Sequence, residues 1–338
     1  MNSATGIVAV AAEAGVSVST VSQVLGGKRP VSAATRSRVE AAIEKLNYRP
    51  HPGARSLRSQ RTESVALIVP DITNPFYPLV AVGIQDVLMP QGYLLSVNDV
   101  ALPSRTVSET LRHVLARRVD GIVLTTYGCT QADLDLIAQS GTHVVALGQD
   151  IGVSGSDYVD VDEAAGIGSV VAHLLGNGFR RIAFVGGERD DFTSSLRHSG
   201  YREALLGAGL AVDDALSVFT SFTRDGGAAG AALLLELQEL PDAIVCANDL
   251  IAIGVIDTLR ARGISIPESI AVTGYDDIEA AGLITPALTT VDNPAREIGR
   301  TSARLLLDRL NGSVDDVTRH VRLSQRLVIR ESSTVVTH

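Results

Sequence analysis

The sequence predicts an N-terminal all-α helix-turn-helix domain over residues 1–50 and an α/β body of two doubly wound parallel-sheet lobes over residues 62–338. Two apolar segments with helical spacing, separated by a glycine-containing turn, predict the first domain. Beyond Arg61, short β-branched runs alternate with amphipathic helical stretches, which is typical of parallel sheets covered by helices. Because about 275 residues follow this alternating pattern, the body is expected to divide into two lobes.

The first two helices lie on either side of the turn Ala14-Gly15, and Ser17 is predicted as the N-cap of the second. Their apolar residues share one face on each helix: Ile7, Val10, Ala11 and Ala14 on the first, and Val21, Val24 and Leu25 on the second. A third helix, capped by Ser32 and ending near Asn47, closes the small core. Its apolar positions are Val39, Ala42, Ile43 and Leu46.

The outward face of the second helix carries Ser19, Ser22 and Gln23, which are small polar groups and an amide. An amide on an exposed helix can pair bidentately with adenine N6 and N7 in the major groove of DNA. The same residues also suit an ordinary solvated surface. The face taken alone therefore leaves both interpretations open.

Charge is distributed unevenly between the two predicted domains. Residues 1–61 hold nine basic and three acidic residues, a formal charge of +6, whereas the rest of the chain holds 20 basic and 35 acidic residues, a formal charge of −15. A basic head on an acidic body is expected where only the head meets phosphates. The net charge of −9 for the whole chain therefore does not exclude a nucleic-acid partner.

Seven runs rich in β-branched residues predict the buried strands of the body: 65–69, 93–97, 121–124, 144–147, 182–185, 243–246 and 270–273. Helices are predicted between most of them, including 76–89, 105–118 and 250–262. In doubly wound sheets, ligands bind beyond the carboxyl ends of the strands. We therefore expect the binding site among the residues that follow these runs.

Amides, carboxylates and aromatic rings follow four of the predicted strands: Asn74-Pro75-Phe76-Tyr77, Asn98-Asp99, Asn248-Asp249 and Tyr275-Asp276-Asp277. Such groups suit a polyhydroxylated small molecule, which needs hydrogen bonds to its hydroxyls and an apolar face for stacking. Each also has a simpler interpretation, with Asn248 as a helix cap, Asp276 as a turn residue and Phe76 as part of the core.

These segments show no Ser-His-Asp order, metal-ligand cluster or phosphate-binding loop, so we expect neither an enzyme nor a cofactor or metal. The fragment Gly166-Ile167-Gly168 is too short for a nucleotide-binding loop and predicts helix packing. Cys129 and Cys246 lack metal or disulfide spacing, which indicates free thiols in a reducing cytoplasm. No signal segment or membrane span is expected, which disfavours the alternative of a periplasmic-type sugar-binding protein without a regulatory role.

Several motifs in one order resemble the lactose-repressor (LacI/GalR) family of bacterial transcription regulators. They are AGVSVSTVSQVL, VSAATRSRVEAAIEKLNYRP and ARSLRSQRTESVALIVPDITNPFY, and the resemblance covers nearly the whole chain. It implies that Val18, Ser19 and Gln23 face the bases. With the rest of the helix start and its outer face, and with the basic turn after it, the predicted DNA contacts are Ser17, Val18, Ser19, Thr20, Ser22, Gln23 and Lys28. Family members often carry Arg at the position of Gln23 and Asp at the position of Ala9. Gln23 instead favours adenine or a weaker contact.

Residues 51–61 resemble the family's hinge, which becomes helical only on operator DNA. The resemblance implies that Leu57 enters a central minor-groove step while Arg55 and Arg58 neutralise nearby phosphates. Pro52 and Gly53 disfavour a helix in the isolated segment. A plain flexible linker is the alternative interpretation.

The body resembles the periplasmic sugar-binding fold that forms the effector domain of this family. Together with the strand-end amides, the resemblance implies this effector site: Asn74, Phe76, Tyr77, Asn98, Arg197, Phe222, Asn248, Asp276 and Asn293. Arg197 would clamp hydroxyl or carboxylate groups of the effector. At Gln149-Asp150 the family more often has an Asp-Arg pair, so one charged contact is absent and the effector's identity stays open.

Together these features predict a cytoplasmic, dimeric or tetrameric regulator, foremost a repressor, that binds a pseudo-palindromic operator in double-stranded DNA. A small polar effector, foremost a carbohydrate, would close the lobes about a hinge that the chain crosses near residues 160–162, 286–293 and 317–323. The sequence leaves open whether the effector releases the protein from DNA or recruits it.

Overall fold

The computed structural model describes residues 6–26, 31–48, 61–100, 106–126 and 128–334. The chain divides into two compact units, a helical head at residues 1–62 and an α/β body at residues 63–338. Within the described ranges, no single helix is long and apolar enough to cross a membrane, although the first two helices together, as a bent pair, have sufficient length and apolar composition.

Three helices form the head: α1 (Ile7–Ala14), α2 (Val18–Gly26) and α3 (Ala33–Lys45). α1 ends at Gly15, whose φ of 62° lies in the left-handed region that glycine adopts without strain. The chain bends by 102° between α1 and α2, as in helix-turn-helix motifs. Ser17 caps α2 by accepting a hydrogen bond from the Thr20 N–H at 3.1 Å, and Ser32 caps α3 through the Thr35 N–H at 3.2 Å.

The core of the head is small and apolar. Its buried members come from all three helices: Val10, Ala11, Ala14, Val21, Val24, Val39 and Ala42. Ile43 and Leu46 of the third helical segment pack against them, as predicted. Leu25, predicted on the inner face of α2, is instead 38% exposed. One residue step rotates its side chain by about 100° from that of the buried Val24, out of the core.

The first lobe of the body is built on six parallel strands: β1 (Ser64–Val69), β2 (Leu94–Asp99), β3 (Gly121–Thr125), β4 (His143–Leu147), β5 (Asp157–Val161) and β11 (His320–Leu323). Their order across the sheet is β11-β5-β4-β3-β1-β2. The second lobe is built on four parallel strands in the order β7-β6-β8-β9: β6 (Ile182–Gly186), β7 (Ser217–Phe219), β8 (Ala243–Cys246) and β9 (Ala271–Thr273). A short antiparallel pair joins β10 (Thr290–Asp292) to β12 (Arg326–Val328).

Helices cover both faces of the first sheet: α4 (Phe76–Leu88), α5 (Val107–Ala116), α6 (Gln131–Ser140) and α12 (Ala295–Leu310). The second lobe has five helices within the described residues: α7 (Glu163–Gly176), α8 (Phe192–Gly207), α9 (Arg224–Leu234), α10 (Asp249–Ala261) and α11 (Glu279–Leu283). Along β1, Val65 and Leu67 belong to the core beneath α4 and α12, whereas Ala66 and Ile68 belong to the core beneath α5 and α6. Because side chains of a strand alternate between faces, a strand buried on both faces is apolar throughout.

All seven predicted strands are present, with ends within two residues of the predicted ones. The chain passes between the lobes three times in the described body. It does so between β5 and α7, between β10 and α12, and between β11 and β12. The first two passages fall where the sequence predicted them, and the third lies at residues 324–325, just beyond the predicted 317–323.

Candidate functional site

A cavity of about 390 Å³ lies between the two lobes, at the carboxyl ends of their strands. Eight of the nine residues predicted for an effector site line it: Asn74, Phe76, Tyr77, Arg197, Phe222, Asn248, Asp276 and Asn293. A cavity of this size, lined by aromatic rings and a few convergent polar groups, is the usual form of a small-molecule site.

Asn98, the ninth predicted residue, does not line the cavity. The sequence predicted that β2 ends at residue 97, but the strand continues to Asp99, so Asn98 still pairs with Ile68 inside the sheet. Its side-chain amide donates to the carbonyl oxygens of Leu67 and Ser96, both at 3.3 Å. Val100, the first residue past the strand, lines the cavity in its place.

Aromatic rings line the cavity from both lobes. Phe76 and Tyr77 come from the start of α4, where their rings meet edge to face with centroids 5.2 Å apart. Phe222 comes from the second lobe, and its ring occupies the space beside Gly187, where a Cβ would lie 2.1 Å from it. Phe192, which sequence reasoning missed, also lines the cavity and is 43% exposed. Rings on both walls suit a ligand with an apolar face.

Two amides hold the local backbone while they line the cavity. The Oδ1 of Asn74 accepts a hydrogen bond from the Phe76 N–H at 3.1 Å. The Oδ1 of Asn248 caps α10 by accepting from the Ile251 N–H at 2.9 Å, and its Nδ2 donates to the Phe222 carbonyl at 3.3 Å. Asn248 is therefore a helix cap and a cavity residue at once, so the two interpretations of this residue are not exclusive.

Arg197 is the single cationic side chain among the described residues of the lining, and it is 5% exposed. Its Nε donates to Glu163 Oε2 at 2.7 Å and its Nη1 to the Ala247 carbonyl at 2.6 Å. The guanidinium also lies 3.8 Å above the centre of the Tyr275 ring. A Cβ at Gly166 would lie 2.9 Å from this ring, so this glycine serves close packing of α7, as predicted for the fragment, whereas a Cβ at Gly168 would meet nothing within 4 Å.

Asp276 faces Arg197 at 3.8 Å and accepts a hydrogen bond from Asn293 Nδ2 at 3.1 Å. Burial raises the pKa of Asp276 to about 6, against the opposing effects of Arg197 and Asn293. The φ of Asp276 is 113°, a conformation rare for residues with a side chain. Asn293 Oδ1 is buried and has no hydrogen-bond donor among the described residues. This corner of the cavity therefore offers acceptors to a ligand.

Sequence reasoning missed several carboxylates of the lining: Asp71, Asp160, Glu163, Glu188 and Asp191. Two of them stand where a helix begins after a strand. Glu163 is the first residue of α7, and Asp191 caps α8 by accepting from the Ser194 N–H at 2.7 Å. Helix starts that follow strands toward the cleft are the signal that could have located them.

Metal binding and thiol chemistry receive no support in the described part of the chain. No group of three or more His, Cys, Asp or Glu side chains there is arranged to hold a metal ion. Cys129 and Cys246 are free thiols. Burial raises the pKa of Cys129 to about 11 and that of Cys246 well above its ordinary value, so neither is an activated nucleophile.

The predicted DNA-facing residues of the head lie on the outer side of α2. Ser17, Val18 and Ser19 are exposed, whereas Thr20, Ser22 and Gln23 are partly buried. The hydroxyl of Ser17 is occupied by the cap and by contacts with Ser19 and Thr20 at 2.7 and 2.9 Å. The remaining predicted DNA contacts lie outside the described residues: Lys28, Arg55, Leu57 and Arg58.

A helix-turn-helix head and a two-lobed body with a polar and aromatic cavity together define the class of DNA-binding transcription regulators. The model of the bacterial regulatory proteins of the lacI family matches residues 7–51, and that of the periplasmic binding protein-like domain matches residues 171–333. The chain belongs to the lacI family of bacterial transcriptional regulators and is not an enzyme.

Similar regulators and solved structures support this membership over nearly the full chain. The HTH-type transcriptional regulator CelR of Thermobifida fusca is 36% identical over 96% of this chain and 96% of its own. A solved complex of the transcriptional regulator CelR with cellobiose is 33% identical, covers 97% of this chain and 99% of its own, and has a TM-score of 0.73. The lac repressor dimer bound to operator and the anti-inducer ONPF is 25% identical, covers 96% of this chain and 98% of its own, and has a TM-score of 0.84.

Proposed function

We propose that this chain is a cytoplasmic repressor that binds a pseudo-palindromic operator as a homodimer. Its affinity for DNA changes when a small polar effector enters the cavity, and a sugar is the first candidate for that effector. The cavity carries this proposal, because aromatic rings of both lobes and the Arg197–Asp276–Asn293 group converge in it. The eight predicted residues that line the cavity are the proposed effector contacts. The relative whose structure was solved in complex with cellobiose makes that disaccharide the first effector to test.

The outer face of α2 is the proposed reader of base edges. Gln23 would pair with adenine, while Ser19 and Ser22 would contact bases or phosphates. The basic residues Lys28, Arg55 and Arg58 would neutralise phosphates, and Leu57 would enter the minor groove at the centre of the operator. The +6 formal charge of residues 1–61 supports this assignment.

An apolar surface supports the homodimer. It is formed by exposed side chains of α4, the turn after it, and the face of the edge strand β2 that α4 covers: Leu79, Val82, Met89 and Val97. Contiguous exposed apolar groups on an edge strand and its neighbouring helix usually mark an interface. A second copy is the proposed occupant, since a pseudo-palindromic operator requires two heads related by a two-fold axis, and the similar lac repressor was solved as a dimer on its operator.

Allosteric control would operate through the three passages between the lobes. An effector that contacts both walls binds a closed arrangement better than an open one, and so shifts the population toward closure. The shift would alter the spacing of the paired heads on DNA. Its sign, release or recruitment, is an outcome of the experiment below.

Selection of bound sequences from a random duplex pool by the full-length protein tests the proposal, at a fixed salt concentration and with or without cellobiose. We expect a pseudo-palindrome with a flexible central step. Gln23→Ala should alter base preference at one position of each half-site, with Arg58→Ala as the matched variant that weakens all sequences alike and lowers the salt slope. Equal losses for both variants on every sequence would contradict base reading by Gln23. No enrichment under either condition would favour a sugar-binding protein without a regulatory role.

A further inference from the structure

The cavity contains many more anionic than cationic side chains. Its described lining carries six carboxylates and one guanidinium: Asp71, Asp160, Glu163, Glu188, Asp191, Asp276 and Arg197. Charges inside a cleft with low-dielectric walls act on a ligand more strongly than charges on an open surface. The partners of each carboxylate therefore decide which ligand charge the cavity accepts.

Three of the six carboxylates already have a cationic partner. Arg197 lies 2.7 Å from Glu163 and 3.8 Å from Asp276, so two carboxylates share its charge. Asp160 is paired with Arg322 at 2.7 Å, a residue outside the lining, and also contacts His320 at 2.8 Å. The charge of the one guanidinium in the lining is therefore already shared between two carboxylates.

The other three carboxylates have no salt bridge to a described residue. Asp71 stands in the first lobe, where it accepts hydrogen bonds from the N–H and hydroxyl of Thr73 at 2.8 and 2.7 Å. Glu188 and Asp191 stand in the second lobe, between β6 and α8, and burial raises the pKa of both carboxyls. A ligand in the cavity therefore meets carboxylates without a salt bridge on both walls.

A second observation concerns hydrogen bonding and is independent of charge. Asn293 is 4% exposed, lines the cavity, and has an Oδ1 with no donor among the described residues. Its Nδ2 already donates a hydrogen bond to Asp276 Oδ1. A buried acceptor left without a donor costs free energy, so a ligand that supplies a donor gains by filling this position.

We propose that the effector is an uncharged or amine-bearing polyhydroxy compound, recognised through its hydrogen-bond donors, and that phosphorylated or carboxylated counterparts of the same sugar are rejected. This inference rests on the proposed function of the cavity as the effector site. A phosphate or carboxylate would face carboxylates on both walls, and the single guanidinium of the described lining is already paired with two of them. Like charges brought together at a binding site oppose association.

The sign of the potential can be measured without knowing the effector. The chain contains no Trp, so Phe192→Trp in the full-length protein places a single indole at a cavity-lining position that is 43% exposed. Quenching by caesium, iodide and acrylamide is measured at constant ionic strength and scaled to N-acetyltryptophanamide. We expect caesium to exceed iodide by about threefold, since protein clefts reach potentials of several kT. Equal quenching, or stronger quenching by iodide, would overturn the proposal.

The same indole then reports binding of a charge series built on one ring: glucose, glucosamine, glucuronate and glucose 6-phosphate, with cellobiose and cellobionate as the disaccharide pair. Anionic members should bind about 100-fold more weakly than their neutral or amine counterparts. Tighter binding of an anionic member would overturn the inference and leave sugar control intact. If no sugar binds while caesium still quenches better, the sugar-effector proposal fails and the charge inference stands.

A double variant links the rejection to named residues. Glu188→Gln with Asp191→Asn removes two carboxylates that have no salt bridge, and asparagine still caps a helix. The discrimination against anions should fall about tenfold, with the affinity for the neutral sugar little changed. Asp135→Asn with Glu236→Gln is the matched control, because it removes the same charge from exposed positions outside the lining. An equal fall in the control would assign the effect to net charge and contradict the proposed role of the cavity.

Discussion

Two buried aspartates of the body, Asp157 and Asp276, both face arginine, yet their surroundings differ. Asp157 is 0% exposed and bonded by two guanidinium groups, with Arg309 Nη2 at 2.6 Å and Arg319 Nη2 at 2.7 Å. Asp276 is 8% exposed, and Arg197 stays 3.8 Å away. The first carboxylate is satisfied within the protein, and the second lines a cavity with acceptor capacity remaining.

The electrostatic consequences run in opposite directions. Burial alone would raise the pKa of Asp157, but hydrogen bonds from Arg309 and Arg319 hold it below its ordinary value of 3.8. Burial prevails at Asp276 and raises its pKa to about 6. A buried Asp–Arg neighbourhood therefore indicates a stabilising contact where the hydrogen bonds are complete, and a ligand site where they are incomplete.

The largest expected effect is on stability. Asp157→Ala leaves Arg309, which is 5% exposed, without its charge partner, so we expect a loss of about 3–5 kcal/mol in the free energy of unfolding. Urea denaturation of the full-length protein measures it. Asp276→Asn, which keeps the shape of the side chain, should lose less than about 1 kcal/mol. Similar losses for the two variants would contradict the distinction between Asp157, as a stabilising residue, and Asp276, as a ligand-site residue.

The next effect is on effector binding. Arg197→Ala should weaken binding of the effector about 100-fold, because it removes a charged donor group and the partner of Glu163 from the cavity wall. Operator affinity without effector should change less than about threefold. Arg224→Ala, which removes an arginine from an exposed pair with Asp257, is the control. An unchanged effector response in the Arg197 variant would contradict the cavity assignment.

A smaller effect concerns pH. Because the folded pKa of Asp276, about 6, lies above its ordinary 3.8, this group takes up a proton on folding between those values. Its contribution to stability therefore falls as the pH rises through about 6. Asp157, with a lowered pKa, contributes stability that is present above 3.8 and is lost as the pH falls through its folded pKa.

If the ionised Asp276 accepts hydrogen bonds from the effector, affinity should increase about tenfold between pH 5 and pH 7.5, since at pH 5 only about a tenth of the carboxyl is ionised. Titration calorimetry at both pH values checks this. The increase should be absent in Asp276→Asn, and a pH dependence that persists in this variant would assign the titration to another group.

The smallest effect is expected for an exposed ion pair. Arg326 and Asp292 pair at 2.9 Å across β12 and β10, but the arginine side chain is 76% exposed. Arg326→Ala should change the free energy of unfolding by less than about 1 kcal/mol, because water screens the pair. The urea midpoint measures it. A loss as large as that of Asp157→Ala would mean that burial and complete hydrogen bonding do not explain why the Asp157 pairs stabilise the protein more than an exposed pair does.

The sequence predicted the strands that bury apolar side chains on both faces, because a continuous β-branched run is a local pattern. It did not predict β5 or β11, where charged residues interrupt the run. Asp157 and Asp160 of β5 are buried only because arginines that follow more than 150 residues later, Arg309 and Arg322 among them, meet their charge. Such pairing across the chain leaves no local periodicity to detect.

Residues of the candidate site were predicted where the strand before them was predicted, and they were missed or misplaced where it was not. Residues directly after a recognised strand, such as Asn74 and Asn248, were located from strand ends together with the family resemblance. Asn98 was misplaced because a strand end was set two residues early. Glu163 was missed because it follows β5, a strand that the local pattern did not predict.

The interlaced connection of the lobes has a consequence for synthesis. The first sheet begins at residue 64 and receives its edge strand β11 only at residues 320–323, after most of the second lobe. A ribosome adding about 5–20 residues per second leaves β5 without its neighbour for on the order of ten seconds or more. During that interval the nascent chain presents unpaired backbone amides and carbonyls, so it is most vulnerable to aggregation before its final residues emerge.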